Sequence, residues 1–420
     1  MNNRNNIFSN IDWLTVFFYG LIMLFGWINI YSAVYDEAHQ SIFDVSQRYG
    51  KQMIWIAAAA FLGFLLLLID ARIYENFSFL IYVGVMVLLL GVLVGGKEIA
   101  GSKSWFQIGS IAIQPAELAK FATALALAKY LTMPNIDLRK LKYLIKAFII
   151  IFTPAVLIFL QNDTGTALVF AAFVMVLYRE GMTPGLLYFA AAMIVIFLST
   201  LIAGKWVVIS ALAGIAFLLI MLFKKQKNAI ITIAVSLLLS SGVSYGIEYG
   251  FNNFLQPHQQ VRIKVLLGQE VDNRGAGYNV HQSKIAIGSG GFTGKGFLQG
   301  TQTKYNFVPE QSTDFIFCTV GEEWGFVGSS ALILLFVLFL IRLVFLAERQ
   351  RSRFSRIYGY GVIMVLLFHF AINIGMTVGL VPVIGIPLPY VSYGGSSLWA
   401  FTILLFIFLK LDANRRNVLI

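Results

Sequence analysis

Long apolar runs constrain this chain more than any other feature. A helix needs about 20 mostly apolar residues to cross a bilayer. The sequence offers twelve such runs, at 13–34, 52–70, 77–95, 114–131, 143–160, 164–179, 183–203, 206–223, 229–248, 314–341, 357–381 and 391–411. Charged residues make up 12% of the 420 positions, against about 25% in a soluble domain. The deficit is spread along the whole length, which excludes a soluble enzyme, a disordered scaffold and a nucleic-acid binder. The expected fold is an all-α polytopic membrane protein of about twelve transmembrane helices, with one membrane domain covering 1–420. The first run reads as a signal anchor, not a cleaved signal peptide. The lone Cys318 excludes an internal disulfide framework, and the four histidines show no spacing that suits zinc.

The net charge of +11 reads first as Lys and Arg anchoring cytoplasmic loops. With the N-terminus inside, Arg139, Lys140, Lys142 and Lys146 are cytoplasmic. So are Lys224, Lys225 and Lys227, then Arg349, Arg351, Arg353 and Arg356, and the tail pair Arg415 and Arg416. Short loops on the other side hold Arg48, Lys51, Lys97, Lys103 and Lys205. Both termini are therefore expected in the cytoplasm. Two outer regions do not span. One is 96–113, with the amphipathic run Trp105-Phe106-Gln107-Ile108; the other is a large extracytoplasmic loop at 249–313.

Ionisable groups at membrane depth are costly and default to functional candidates. Glu117 and Lys120, three apart in Gln114-Pro115-Ala116-Glu117-Leu118-Ala119-Lys120, share a helix face. They fit a structural ion pair and a substrate-cavity role about equally. Asp163 in Gln161-Asn162-Asp163-Thr164 reads as a helix N-cap, at a position that also suits the wall of an outward cavity. In Val308-Pro309-Glu310-Gln311-Ser312-Thr313-Asp314 the long loop re-enters the membrane. Asp314 is either a plain helix-start residue or a general base toward an outward-facing substrate.

The glycine-rich stretch 288–296 is neither a P-loop nor a dinucleotide fingerprint. Gly296 stands where a P-loop needs Ser or Thr, and Thr293 takes the place of the fingerprint's last glycine. A backbone nest for a lipid pyrophosphate and a plain flexible loop both remain. The stretch from Asn373 to Ser397 carries Pro382, Pro387, Pro389 and the run Ser392-Tyr393-Gly394-Gly395-Ser396-Ser397. Irregular backbone at membrane depth belongs in a cavity wall; tight packing through small residues is the alternative.

In order along the chain, these motifs resemble the SEDS family (shape, elongation, division and sporulation). They are Gln114-Pro115-Ala116-Glu117, Gln282 to Gly291, Pro309-Glu310, Thr313 to Phe317, Gly321-Glu322-Glu323 with Gly325, and Pro387-Leu388-Pro389 with Ser392 to Ser397. Gly300-Thr301-Gln302 is closer to the rod-shape-determining branch than to the division branch. The resemblance implies a peptidoglycan glycosyltransferase that polymerises lipid II, with inversion, at the outer face of the cytoplasmic membrane during elongation. It makes Asp314 the general base. Lys120, Lys284 and Arg262 are then candidates to neutralise the leaving diphosphate, with a divalent cation, magnesium or manganese, as a further candidate. Glu117 holds Lys120, and Glu310 supports Asp314 or the cation. Asp163, Trp105, Ser392 and Ser396 complete the expected substrate-binding set. Implied partners are lipid II, undecaprenyl-pyrophosphate-linked glycan, a class B penicillin-binding protein and other membrane proteins of the elongation complex.

Two features depart from the family. Asn162 stands where its members usually have proline. The family usually has ten spans, so the region 183–248 reads as holding an added helical hairpin. Competing readings are a lipid II flippase, a non-catalytic scaffold, and a division role in place of elongation. The polar groups cluster toward the outer side and no inverted repeat is evident, which favours the enzyme over the transporter.

Overall fold

The computed structural model describes residues 10–36, 39, 41–99, 101–109, 111–223, 226–253, 257–267, 276–305 and 307–415. Lys224, Lys225 and Arg416 of the orientation argument lie outside them, as do parts of the 249–313 loop. The chain divides into two compact units, residues 1–182 with 279–420, and residues 183–278.

The first unit opens with α1 (Trp13–Ala33), α2 (Arg48–Leu68), α3 (Ala71–Asn76) and α4 (Ser78–Gly95). A small antiparallel sheet follows, β1 (Lys97–Ile99), β2 (Ser102–Ile108) and β3 (Ile111–Ile113), in the order β1-β2-β3. Next come α5 (Pro115–Thr132), α6 (Leu141–Leu160), α7 (Thr164–Val169) and α8 (Phe173–Arg179). The second unit holds α9 (Pro184–Ala203), α10 (Lys205–Leu222), α11 (Lys227–Asn253) and α12 (Pro257–Leu266). The boundary falls within α13 (Ala276–Ser289). The first unit then resumes with α14 (Thr301–Lys304), α15 (Ile316–Glu348), α16 (Arg353–Thr377) and α17 (Gly395–Ala413).

Ten helices among the described residues are long and apolar enough to cross a membrane, and each coincides with one of the twelve expected runs. The other two runs are also helical, but for different reasons they fall short as apolar spans. The helix α5 carries Glu117, Lys120 and Lys129, and the run 164–179 is broken by a 3-10 turn at Phe170–Ala172. The polytopic all-α expectation holds. The count of twelve rests on reading these two as spans. The region 249–313 is less loop-like than expected, because α11 extends to Asn253 and α12, α13 and α14 occupy much of the rest.

The helices α16 and α17 form the inside of the bundle. Within their most apolar windows 67% and 83% of residues are buried, against 28% for α2, α4 and α6. Even Lys410 on α17 is drawn in: its ammonium donates to the Leu67 carbonyl at 2.7 Å. In α15 the helix breaks at Gly325 (φ +62, ψ −157). The glycine-rich stretch repairs the break. Lys295 and Gly296 amides donate to the Glu322 and Glu323 carbonyls, each at 3.0 Å. The Phe326 and Val327 amides donate back to Gly291 and Phe292, at 2.9 and 3.1 Å. A Cβ at Gly290 or Gly294 would lie 2.0 or 2.1 Å from the Gly321 or Glu323 oxygen. The glycines are thus required for close backbone approach, which satisfies main-chain groups freed at membrane depth.

One buried charge cluster ties three helices together. Asp412 on α17, fully buried, accepts from Arg349, the C-cap of α15, from Gln350 Nε2 at 2.7 Å and from Arg415 at 3.3 Å. Arg342 and Arg349 also reach Asp12, whose carboxylate caps α1 by accepting from the Thr15 amide at 3.0 Å. Removing one partner of a buried pair leaves the others uncompensated. We expect Asp412→Ala to cost about 3 kcal/mol of stability, read as a lower melting temperature in detergent. An unchanged melting temperature would mean that water already screens the cluster.

The second unit, taken by itself, is a set of packed helices. Gly204 (φ +83) turns α9 back into α10. Lys205 pairs with Glu248 of α11 at 3.3 Å and lies 4.5 Å from the centre of the Tyr245 ring. Only 11%, 11% and 6% of the apolar windows of α9, α10 and α11 are buried, so most of their apolar surface faces outward, as lipid-facing helices require.

Candidate functional site

Asp314 precedes α15 and is not part of it. Residues 311–315 form a chain of turns, and Phe315 is the N-cap of the helix. The turn is held mainly through its backbone. Asn373 of α16 donates from Nδ2 to the Asp314 carbonyl and to the Ile386 carbonyl, both at 2.8 Å. Ser392 Oγ donates to the Thr313 carbonyl at 2.6 Å and accepts from the Leu388 amide at 2.9 Å. The Tyr393 amide donates to the Ser312 carbonyl at 2.8 Å.

The strap between α16 and α17 is therefore stitched to the Asp314 turn. Its irregularity follows from sequence: Pro382, Pro387 and Pro389 lack amide donors, and Gly385 sits at φ +70. A Cβ on Gly385 would lie 3.3 Å from Asp314 Oδ2, so the half-buried carboxylate rests against a bare Cα.

Arg48, the first residue of α2, approaches the same turn. Its guanidinium donates to Ser312 Oγ at 2.7 Å, lies 3.9 Å from Glu310 Oε2 and sits 5.8 Å from the Tyr393 ring centre. Glu310 is exposed, adopts φ +55 and accepts from Thr313 Oγ1 at 3.0 Å.

A second group joins three motifs that are distant in sequence. The Gln114 amide donates to Ser396 Oγ at 3.0 Å, and Gln114 Nε2 donates to Asp163 Oδ2 at 2.6 Å. The other oxygen of Asp163 accepts from the Thr166 amide at 3.0 Å, so the expected N-cap is present and the same carboxylate also links to α5. Burial pushes the Asp163 carboxyl up from its ordinary range, with the Thr166 bonds pulling the other way. Asn162 has φ +63. Proline is confined near −65°, so the residue found at the family's proline position adopts a backbone that proline cannot reach. At Gly165 a Cβ would lie 2.1 Å from the Ile384 oxygen, which brings α7 directly against the strap.

The third group is buried. Lys120 Nζ lies 2.7 Å from Glu117 Oε2, 3.0 Å from His369 Nε2 and 4.6 Å from the Phe401 ring centre. Lys120, Glu117 and His369 are 1%, 3% and 0% exposed.

The remaining expected residues are more dispersed. Lys284 is exposed on α13, and its ammonium lies beside Gly379. Trp105, half-buried on β2, is paired in register with Lys97. Arg262 lies on α12 in the second unit. A cavity of about 660 Å³ opens beside the sheet, lined by Leu88, Gly95, Phe106, Ile113, Pro115 and Leu118, with Lys97, Gln107 and Gly109 completing it. Among the described residues no three His, Cys, Asp or Glu side chains converge as a metal-binding set.

Sequence reasoning missed Arg48, His369 and Gly385 as site residues. Two carried a signal. Arg48 is a basic residue on the side that the charge bias leaves poor in them, and His369 is ionisable inside an apolar run. Gly385 carried none, since its importance lies in what its missing side chain lets approach.

Fold and site together describe a polytopic membrane protein whose last irregular strap converges with a carboxylate-bearing turn. A family model for cell cycle proteins, that of FtsW, RodA and SpoVE, matches residues 12–213 and 184–417. The two matches overlap in the region read as holding the added hairpin. The peptidoglycan glycosyltransferase RodA of Treponema pallidum is 33% identical over 97% of this chain and 98% of its own. The peptidoglycan glycosyltransferase MrdB of Escherichia coli is 32% identical over 88% and 86%. Among solved structures, one described as a peptidoglycan synthase complex coordinating polymerization and crosslinking superposes with a TM-score of 0.70. It is 27% identical and covers 96% of this chain and 98% of its own. The rod shape determining protein RodA of Thermus thermophilus gives 0.62, at 26% identity and 99% of both chains. The chain belongs to the FtsW, RodA and SpoVE family.

Proposed function

We infer that Asp314 is the general base with which this chain, a peptidoglycan glycosyltransferase serving cell elongation, polymerises lipid II. The activity class rests on family membership and on relatives so named across nearly their whole length. The observation that carries the site is the placement of Asp314. Its turn is pinned through backbone bonds while its carboxylate lies against Gly385, an arrangement that fixes where the base stands.

In the proposed reaction the Asp314 carboxylate takes the proton of the acceptor's GlcNAc 4-hydroxyl. That oxygen attacks the anomeric carbon of the lipid-linked sugar. The bond from this carbon to the diphosphate oxygen breaks with inversion, and undecaprenyl diphosphate leaves with the electron pair. Arg48, half-exposed beside the turn, is the cation best placed to meet the diphosphate. The exposed Lys284 is a second candidate, whereas Lys120 is buried against Glu117 and His369. The apolar cavity beside α5 suits part of a polyprenyl chain. The expected setting is the cytoplasmic membrane, with both termini inside and the site outside, and with a class B penicillin-binding protein crosslinking the product.

The test is glycan-strand synthesis from lipid II by the purified chain with its transpeptidase, in the presence of a transglycosylase inhibitor that spares this family. Strand synthesis supports the reading. Labelled lipid II crossing liposomes without polymerisation would replace it with a flippase. Gly385→Ala should lower the strand-synthesis rate about 10²-fold, because a small misplacement of a catalytic group costs that much and the new Cβ meets Asp314. An unchanged rate in this variant would show that the strap does not set the carboxylate.

A further inference from the structure

We propose that His369 is a positioning residue: it couples the buried Lys120–Glu117 pair to the strap that places Asp314. The proposal deepens the functional reading above and rests on it. Three geometric facts carry it. Lys120 Nζ is 3.0 Å from His369 Nε2, while His369 Nδ1 is 3.2 Å from the Pro387 carbonyl. Pro387 adjoins Ile386, whose carbonyl shares the Asn373 amide with Asp314, and Ile386 adjoins Gly385, which meets the Asp314 carboxylate. The imidazole is also fixed edge-on to Phe401, ring centres 4.9 Å apart, and Phe401 in turn faces the Lys120 ammonium.

The chemistry of these contacts is determinate. An ammonium has no lone pair, so Nε2 must accept from Lys120. The ring proton is then on Nδ1, which donates to Pro387, a residue with a carbonyl but no amide to offer. A histidine here is both an acceptor toward α5 and a donor toward the strap. Glu117 holds Lys120 from the other side, and from Lys120 the hydrogen bonds of His369 and of Asn373, joined by the Ile386–Pro387 backbone, lead from α5 to the Asp314 turn. The buried pair thereby acts at a distance from the substrate, through the position of the base.

The test uses the full chain with its transpeptidase. His369→Phe keeps the ring on Phe401 and removes both bonds; His369→Gln restores an acceptor and a donor. We expect His369→Phe to lose tenfold or more in kcat, with apparent KM for lipid II unchanged and a modestly lower melting temperature from the two unsatisfied buried partners, and His369→Gln to recover most of the rate and the melting temperature. A second readout is free of turnover. Nitrogen-15 shifts of labelled histidine, assigned with His369→Gln, should show a neutral ring protonated on Nδ1, and Lys120→Met should move the Nε2 resonance.

A full rate in His369→Phe overturns the proposal, as does a loss confined to KM. So does a loss in both variants that tracks a lower melting temperature, or an imidazole protonated on Nε2. If wild type makes no strands, the functional reading fails, and the nitrogen shifts still decide the linkage.

Discussion

Asp314→Asn is expected to lower glycan-strand synthesis by about 10³-fold, the usual scale for a lost general base, while leaving the melting temperature where it is. The two halves of this result have separate physical origins. Asparagine matches the carboxylate in shape but cannot take a proton from the acceptor hydroxyl. The turn that carries it is secured by the Asp314 and Thr313 carbonyls and by the Tyr393 amide, none of which the substitution touches. Initial rates of strand formation from lipid II, wild type beside variant at matched folded concentration, check it. Equal rates would reduce Asp314 to a turn residue and move the base elsewhere. A lower melting temperature with lost activity would mean that its side chain holds the turn after all.

The second large effect lies in the buried pair. Lys120→Met should destabilise the protein by about 3–5 kcal/mol, the cost of leaving one charge of a buried pair uncompensated. The geometry places the effect at the upper end. Glu117 loses its 2.7 Å partner in a site 3% exposed, and His369 Nε2 loses its donor. Lys120→Met with Glu117→Gln should recover most of that stability, because no unpaired charge remains. It should not recover polymerisation, since the hydrogen-bonded link to His369 is still absent. Melting in detergent together with strand synthesis separates the two. Full activity in the stable double variant would make the pair purely structural. A single variant as stable as wild type would mean that water reaches Glu117.

Much of the fold was legible from side-chain chemistry read locally. Apolar runs set the helices, because a bilayer admits only segments that satisfy their own backbone. Pro115 at the first position of α5 and Asp163 before α7 act as helix-start residues, since both effects need only near neighbours. The Glu117–Lys120 pair followed from a three-residue spacing on one helix. The sheet at 97–113 was not foreseen: its strands are short, and their pairing depends on two tight turns rather than on a long alternation. The glycine-rich stretch was ambiguous for a related reason. Its amides meet the backbone of α15 more than twenty residues away, at a break that Gly325 makes.

By itself the sequence determined a polytopic helical membrane protein, its ordered motifs and the carboxylate to suspect, because burial cost and helix geometry act within a few residues. Only the tertiary structure decided what surrounds that carboxylate. Arg48 approaches its turn from α2, Asn373 from α16 and Gly385 from the strap. These approaches join residues separated by tens to hundreds of positions, and they depend on which backbone can come close enough. A missing Cβ at Gly385 or Gly165 looks in sequence like any other glycine; its meaning appears when the opposing atom stands about 2 to 3 Å from where that carbon would be.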